Sequence, residues 1–248
     1  MLTAFLQAYV MIIAVVLVGS VIAAVAVSAH QSGMSLRRVM HGIGGLAMVL
    51  GVWFGLTHWA TQTGVVMPAA TLGEPPWALI LMLGGALSLF ALANLTGFGR
   101  AVVANMDQRW LIGLQSLRIM GWIFVALWLV GAMPWQFALP AGIGDVAVGI
   151  SAWLAWRATD RGEHGAESRY WRVNIFGLVD FVAAVSTGLL TTVGFAHIWA
   201  LENPNIILAY PLGLFPAFFV GVFIAIHMVS LQKLMGHKRA VKLAMSDA

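Results

Sequence analysis

Cysteine is absent from this chain of 248 residues. That excludes thiol catalysis, structural and redox disulfides, iron–sulfur clusters and cysteine-ligated zinc. Charge is nearly as scarce: Asp, Glu, Lys and Arg together make up 9% of the chain, against about 25% in a soluble domain. So few charged groups cannot coat a water-facing surface of this size. No lysine occurs before Lys233, so none sits at membrane depth to form a retinal Schiff base. No GxSxG, HExxH or P-loop pattern occurs, and nothing points to an enzyme.

What is present is apolar. Hydrophobic residues make up 61% of the chain, with 27 glycines and 11 tryptophans, and the mean hydropathy is +0.92. The expectation is an all-α integral membrane protein whose first partner is the lipid bilayer, with residues 1–248 forming one transmembrane domain. A net charge of +4 would suit a nucleic-acid binder by sign alone. The cations, however, lie in short connections beside apolar runs, where a membrane explains them, and no nucleic acid is expected.

About 20 apolar residues cross a bilayer as a helix. Seven stretches qualify: 9–29, 39–59, 77–95, 110–132, 137–156, 171–193 and 206–231. The basic residues orient them. Arg37 and Arg38, Arg100 and Arg109, Arg157, Arg161, Arg169 and Arg172, then Lys233, Lys238, Arg239 and Lys242 all fall in alternate connections or in the tail. The intervening connections, near 60–76, 133–137 and 194–205, hold no Lys or Arg. The positive-inside rule then places the N-terminus outside and the C-terminus in the cytoplasm. Trp59, Trp77, Trp135 and Trp199 fall at the outer boundary, and Trp110, Trp156 and Trp171 at the inner one, as an aromatic belt would. The small residues Ala26, Ser28 and Ala29 could end a signal peptide. But no basic residue precedes the first span and Arg37 and Arg38 follow it, which suits a retained helix.

Several features bear on packing. Pro140, Gly142 and Gly144 suggest a break near the start of the fifth span. Pro211 and Pro216 suggest a bend in the seventh. Gly44, Met48, Gly51, Gly55 and His58 share one stripe of the second span, and Gly51 with Gly55 allows close helix approach. Arg38-Val39 and Glu74-Pro75-Pro76 find counterparts in Arg172-Val173 and Glu202-Asn203-Pro204. That hints at a repeat of three spans, at offsets that need a gap between them.

Ionisable side chains at bilayer depth cost about 2.5–3.5 kcal/mol each on insertion scales, so they need partners. Three such groups occur: Arg118 in span four, Asp145 in span five and Asp180 in span six. Counting along each helix, Arg118 and Asp180 lie a few ångströms inward of the middle and Asp145 about as far outward. Asn174 and His227 share a level about 12 Å inward, and Gln115 lies on the Arg118 face. One arginine thus meets two acids, and it can neutralise one carboxylate by a bidentate bond. The other must take a proton, bind a cation or meet water. Asp145 could instead cap a helix start at the Gly142–Gly144 break. Asp180 continues a small, polar stripe of Gly177, Ala184, Thr187 and Thr191 that should face the bundle interior.

The sign imbalance leads to a proton- or cation-coupled carrier for a small solute or ion, in the inner membrane of a bacterium. Asp145 or Asp180 would titrate, Arg118 would be the counter-charge or anion hook, and His227 with Asn174 would relay protons on the cytoplasmic side, beside Gln115. Two other classes stay open. A membrane redox protein could hold quinone, or haem through His41 and His227 at matched depth, although no cofactor is expected. A non-catalytic subunit or assembly factor would use Arg118 and the aspartates as structural locks. His58, Glu74, His197 and Glu202 could converge outside as a metal site, though their spacing has no fingerprint.

Overall fold

The computed structural model describes residues 2–246, with side chains as far as residue 238. The side chains of Arg239 and Lys242 lie outside the described residues. All regular structure among the described residues is helical. The order is α1 (Leu2–Gln31), α2 (Leu36–Gln62), α3 (Trp77–Leu95), α4 (Gly97–Asn105), α5 (Gln108–Leu114), a 3₁₀ segment (Gln115–Gly121), α6 (Trp122–Leu129), α7 (Trp135–Asp160), α8 (Ala166–Thr191), a π-helical turn (Phe215–Val220) and α9 (Gly221–Ser246).

Seven of these units are long and apolar enough to cross a membrane, counting α5 through α6 as one and the π turn with α9 as another. This is the architecture of a multi-pass integral membrane protein. The surface agrees with it. Ile143, Ile150 and Leu154 on α7, and Ile175, Val179 and Val182 on α8, are exposed. They stand at helical spacing on faces that would be costly in water and suit lipid.

The fourth and seventh units are the most enclosed. Their contact is aromatic. Phe124 on α6 packs on Phe215 at 4.8 Å between ring centres, and Phe215 on Phe219 at 5.2 Å. Trp53 of α2 reaches the same cluster through Phe218 at 4.7 Å. Such pairs add about 0.5–1.5 kcal/mol each beyond the area they bury. Trp53 can approach because Gly85 of α3 and Gly221 of α9 present no side chain to its ring.

The seventh span does not follow the sequence expectation. Residues 206–214 are turns, and the helix starts at Phe215. Pro211 supplies no amide and restricts Tyr210 before it. Pro216 is tolerated only in a first turn, and that is where it sits. The stretch is held at its start by Asn205, whose amide donates to the Thr191 carbonyl at 2.8 Å and whose side chain donates to the Thr191 hydroxyl at 3.0 Å.

The fifth span shows the reverse. Gly142 and Gly144 do not interrupt α7, which is continuous across Pro140. Asp145 is therefore mid-helix and caps nothing. The connection after α3, expected as a plain basic loop, contains the short helix α4, capped by Thr96, whose hydroxyl accepts from the Gly99 amide at 2.9 Å. The Gly44–Gly51–Gly55 stripe of α2 faces outward, and nothing lies within 4 Å of where their side chains would be. It packs no helix of this chain, because Trp53 and Thr57 are the residues α2 buries at that level.

Candidate functional site

Arg118 sits at the centre, in the 3₁₀ segment between α5 and α6. The tighter winding there eclipses residues three apart, so Gln115 and Arg118 both point inward and both are buried. Arg118 is fully enclosed, at 0% exposure. Its Nε donates to Asp145 Oδ1 at 2.8 Å, and its Nη2 donates to Asp180 Oδ2. Nη1 donates to the Gly177 carbonyl at 3.1 Å and lies 3.4 Å from His227 Nε2. The guanidinium carbon stands 3.7 Å from the Phe181 ring centre, so a cation–π contact covers the remaining face. Arg118 thus binds both acids at once, from α7 and α8.

Gln115 is buried beside Arg118 but turns to α9. Its Nε2 donates to the Phe223 carbonyl at 3.3 Å, and its Oε1 finds no partner among the described residues.

The two acids are not equivalent. The Asp180 side chain is 4% exposed and walled in by Arg118 and Gly144, whereas that of Asp145 is 13% exposed. One Asp145 oxygen is held by Arg118, and no hydrogen bond to the other occurs among the described residues. Asp145 lines a cavity of about 120 Å³. The cavity runs from the connections around Val66–Ala69 and Thr192–Leu208 down to Asp145, between Phe124, Phe137, Phe181 and Phe215. Asp145 is ten residues into α7 from that end, about 15 Å by helical rise. The two connections are tied over it, with the Phe195 amide donating to the Ala69 carbonyl at 3.1 Å.

On the other side of Arg118 a line of polar groups leads toward the basic end. Arg118 can only donate, so His227 Nε2 is the acceptor and the ring proton sits on Nδ1. That nitrogen then donates to Asn174 Oδ1 at 2.9 Å. Asn174 Nδ2 donates to Ser230 Oγ at 2.8 Å, and Gln108 Nε2 donates to the same hydroxyl. Gln108 opens α5. From Gln108 to Arg118 is ten residues, again about 15 Å. Cavity and polar line together match the roughly 30 Å of a hydrocarbon core, with Arg118 between them.

Glycines make room for this cluster. A methyl group on Gly144 would overlap Asp180 Oδ1, and one on Gly121 would overlap the Asp145 carboxyl. One on Gly177 would come within 2.6 Å of His227 Nε2 and 2.8 Å of Arg118 Nη1.

The residues expected at depth therefore come together: Arg118, Asp145, Asp180, His227 and Asn174 form one connected group, with Gln115 next to it. Reading the sequence missed Ser230, Gln108 and Phe181. Ser230 was accessible, since it lies three residues after His227 on the same face. Gln108 and Phe181 needed the packing of α5 on α9 and of α8 on the 3₁₀ segment.

The other candidates do not assemble. Among the described residues, no three His, Asp or Glu side chains come together as a metal site. His58 is bonded to the Tyr210 hydroxyl at 3.1 Å, and Glu74 accepts from the Ala70 amide at 2.9 Å. His197 and Glu202 sit in the connection before the π turn. His41 is exposed and bonded to the Arg37 carbonyl, and both ring nitrogens of His227 are engaged within the cluster.

The chain belongs to the family described as a domain of unknown function, DUF8737, whose match spans residues 75–235. That span contains every member of the cluster and leaves out α1 and α2. No curated protein and no solved structure matches the chain.

Proposed function

We propose that this member of the DUF8737 family carries a small solute across a membrane, coupled to a proton or another cation at the Asp145–Arg118–Asp180 cluster. One observation carries the reading. A single buried arginine holds two carboxylates, and Asp145, one of whose oxygens has no hydrogen bond among the described residues, lines a cavity. With both acids ionised the group bears one unmatched negative charge, which a proton or a cation must balance at this depth. The line from His227 through Asn174 and Ser230 to Gln108 brings polar groups from the other end as far as Arg118, the side from which water would deliver protons to the cluster. Arg118 and the Phe181 ring close the space between the two halves, as alternating access requires.

The basic end of the bundle faces the cytoplasm under the positive-inside rule, with the N-terminus outside and the cavity opening outward. The short connections fit a bacterial inner membrane. No cofactor is part of this mechanism.

Proteoliposomes loaded with a pH-sensitive dye, challenged with sodium, potassium, amino acids, sugars and monoamines at neutral and acidic pH, test it. The expected result is a change of internal pH driven by at least one solute, lost in Asp145→Asn and in Asp180→Asn. Silence with every solute, or responses unchanged in both variants, would leave the cluster as a structural lock in a non-catalytic subunit.

A further inference from the structure

The cavity beside Asp145 has a chemistry of its own. Its walls are Phe124, Phe137, Phe181, Phe215 and their aliphatic neighbours, and Asp145 is the one ionisable group among its lining residues. Thr192 and the Trp77 indole are its other side chains with a polar group. We propose that this cavity binds a small hydrophobic monocation: a primary ammonium head against the Asp145 carboxylate, with an aromatic or branched aliphatic body among the phenylalanines. This rests on the carrier reading and names the class of its solute.

Charge, walls and size select that class. The cluster has room for one positive charge, so an anion is repelled and a dication is left half unmatched. Hydrated inorganic cations need several oxygen ligands to replace their water. The cavity offers one carboxylate and a distant hydroxyl, so an ammonium carried on an apolar body fits better. A space of about 120 Å³ is comparable to the roughly 150 Å³ that takes up one benzene ring. The enclosed body of the ligand is therefore about one ring in size, with the ammonium on a short arm.

Binding also balances as an exchange. The groups that face Asp145 are Arg118, Asp180 and, through Arg118, His227, with Tyr9 of α1 donating to the nearby Met120 carbonyl. When the cluster holds a proton on a carboxyl, an arriving ammonium takes its place: the O–H bond breaks, the proton leaves, and the site keeps its charge. Solute and proton then alternate at one group, which makes the carrier an exchanger.

The test uses the purified full chain in detergent, with three probes of similar size: phenethylamine, propylbenzene and hydrocinnamate. Thermal stabilisation and proton release into a weak buffer are read for each. Phenethylamine is expected to act at about ten- to hundredfold lower concentration than propylbenzene, the size of a charge-assisted hydrogen bond, and to release a proton. Hydrocinnamate should be weakest. Asp145→Asn should bring phenethylamine down to the level of propylbenzene while propylbenzene still binds, which shows that the variant is folded. Ala184→Leu, which fills the cavity, should weaken both. Equal action of phenethylamine and propylbenzene on the unaltered protein, a preference for hydrocinnamate, or an unchanged preference in Asp145→Asn would each overturn the proposal. None of those results depends on transport, so they are distinct from failure of the carrier reading.

Discussion

Replacing Arg118 by methionine keeps an unbranched chain of similar length and removes every donor that the cluster uses. Asp145 loses its Nε partner at 2.8 Å, Asp180 loses its Nη2 partner, and the Gly177 carbonyl loses a donor at 3.1 Å. Breaking a buried ion pair by removing one member costs about 3–5 kcal/mol, because the remaining charge stays buried without compensation. Here two acids are stranded, but each can take up a proton, which caps the loss near that range. For a chain of this size 1 kcal/mol shifts the unfolding midpoint by roughly 2–4 °C, so Arg118→Met should unfold roughly 6–20 °C lower. The triple variant Arg118→Met, Asp145→Asn, Asp180→Asn holds no buried charge and should recover most of that shift. Tryptophan fluorescence during thermal unfolding in mild detergent reads both. A single variant within about 1 kcal/mol of the parent, or a triple variant no better than the single, would refute the account of a charge cluster that stabilises the bundle through its own neutralisation.

Other outcomes follow from the same geometry. Gly144→Ala must displace Asp180 and should lower stability and abolish coupling. Gly188→Ala, where the new methyl group would meet Phe137 at an ordinary 3.6 Å, should be neutral or slightly stabilising, since alanine is about 0.5–1 kcal/mol better than glycine inside a helix; thermal unfolding separates the two. His227→Leu cuts the polar line at its first link, and should slow proton release in a stopped-flow pH-dye experiment while leaving the affinity for a solute at Asp145 within a few fold. In the α7–α8 connection, Arg161 and Arg169 hold the Glu163 carboxyl below the ordinary glutamate range through hydrogen bonds at 2.7–2.9 Å. The order they give to that connection is present above the ordinary glutamate range and is lost as the pH falls through the lowered value. Protection from hydrogen exchange at residues 161–165, taken relative to the intrinsic rate at each pH, should therefore fall on acidification, and Glu163→Gln should show the lowered protection already at neutral pH.

The membrane class and the number of spans were legible because both depend on composition and on the length of apolar runs, which packing does not alter. The convergence of Arg118, Asp145, Asp180, Asn174 and His227 was legible for a related reason. Polar groups at matched depth in a bilayer have few partners other than one another. What could not be read was backbone geometry set by tertiary contact. Pro140 is absorbed into α7, whereas Pro211 and Pro216 exclude residues 206–214 from the last helix. Pro140, the sixth residue of α7, forfeits one intrahelical bond without ending the helix, whereas Pro216 stands as the second residue of its own. Glycines misled in the same way. The spaced Gly51 and Gly55 read as a packing motif and face outward, while Gly121, Gly144 and Gly177, which carry no such pattern, are the ones pressed against the charged side chains. Which glycine is crowded depends on the helix opposite, and sequence spacing does not encode that.

Infrared difference spectroscopy of the purified protein between acidic and alkaline pH, in the band of protonated carboxyl groups, tests the unmatched charge most directly. One titrating carboxyl signal from the membrane interior is predicted, shifted by a saturating hydrophobic amine and missing when both Asp145 and Asp180 are asparagine. A spectrum with no titrating interior carboxyl, or one that the double substitution leaves unchanged, would contradict it.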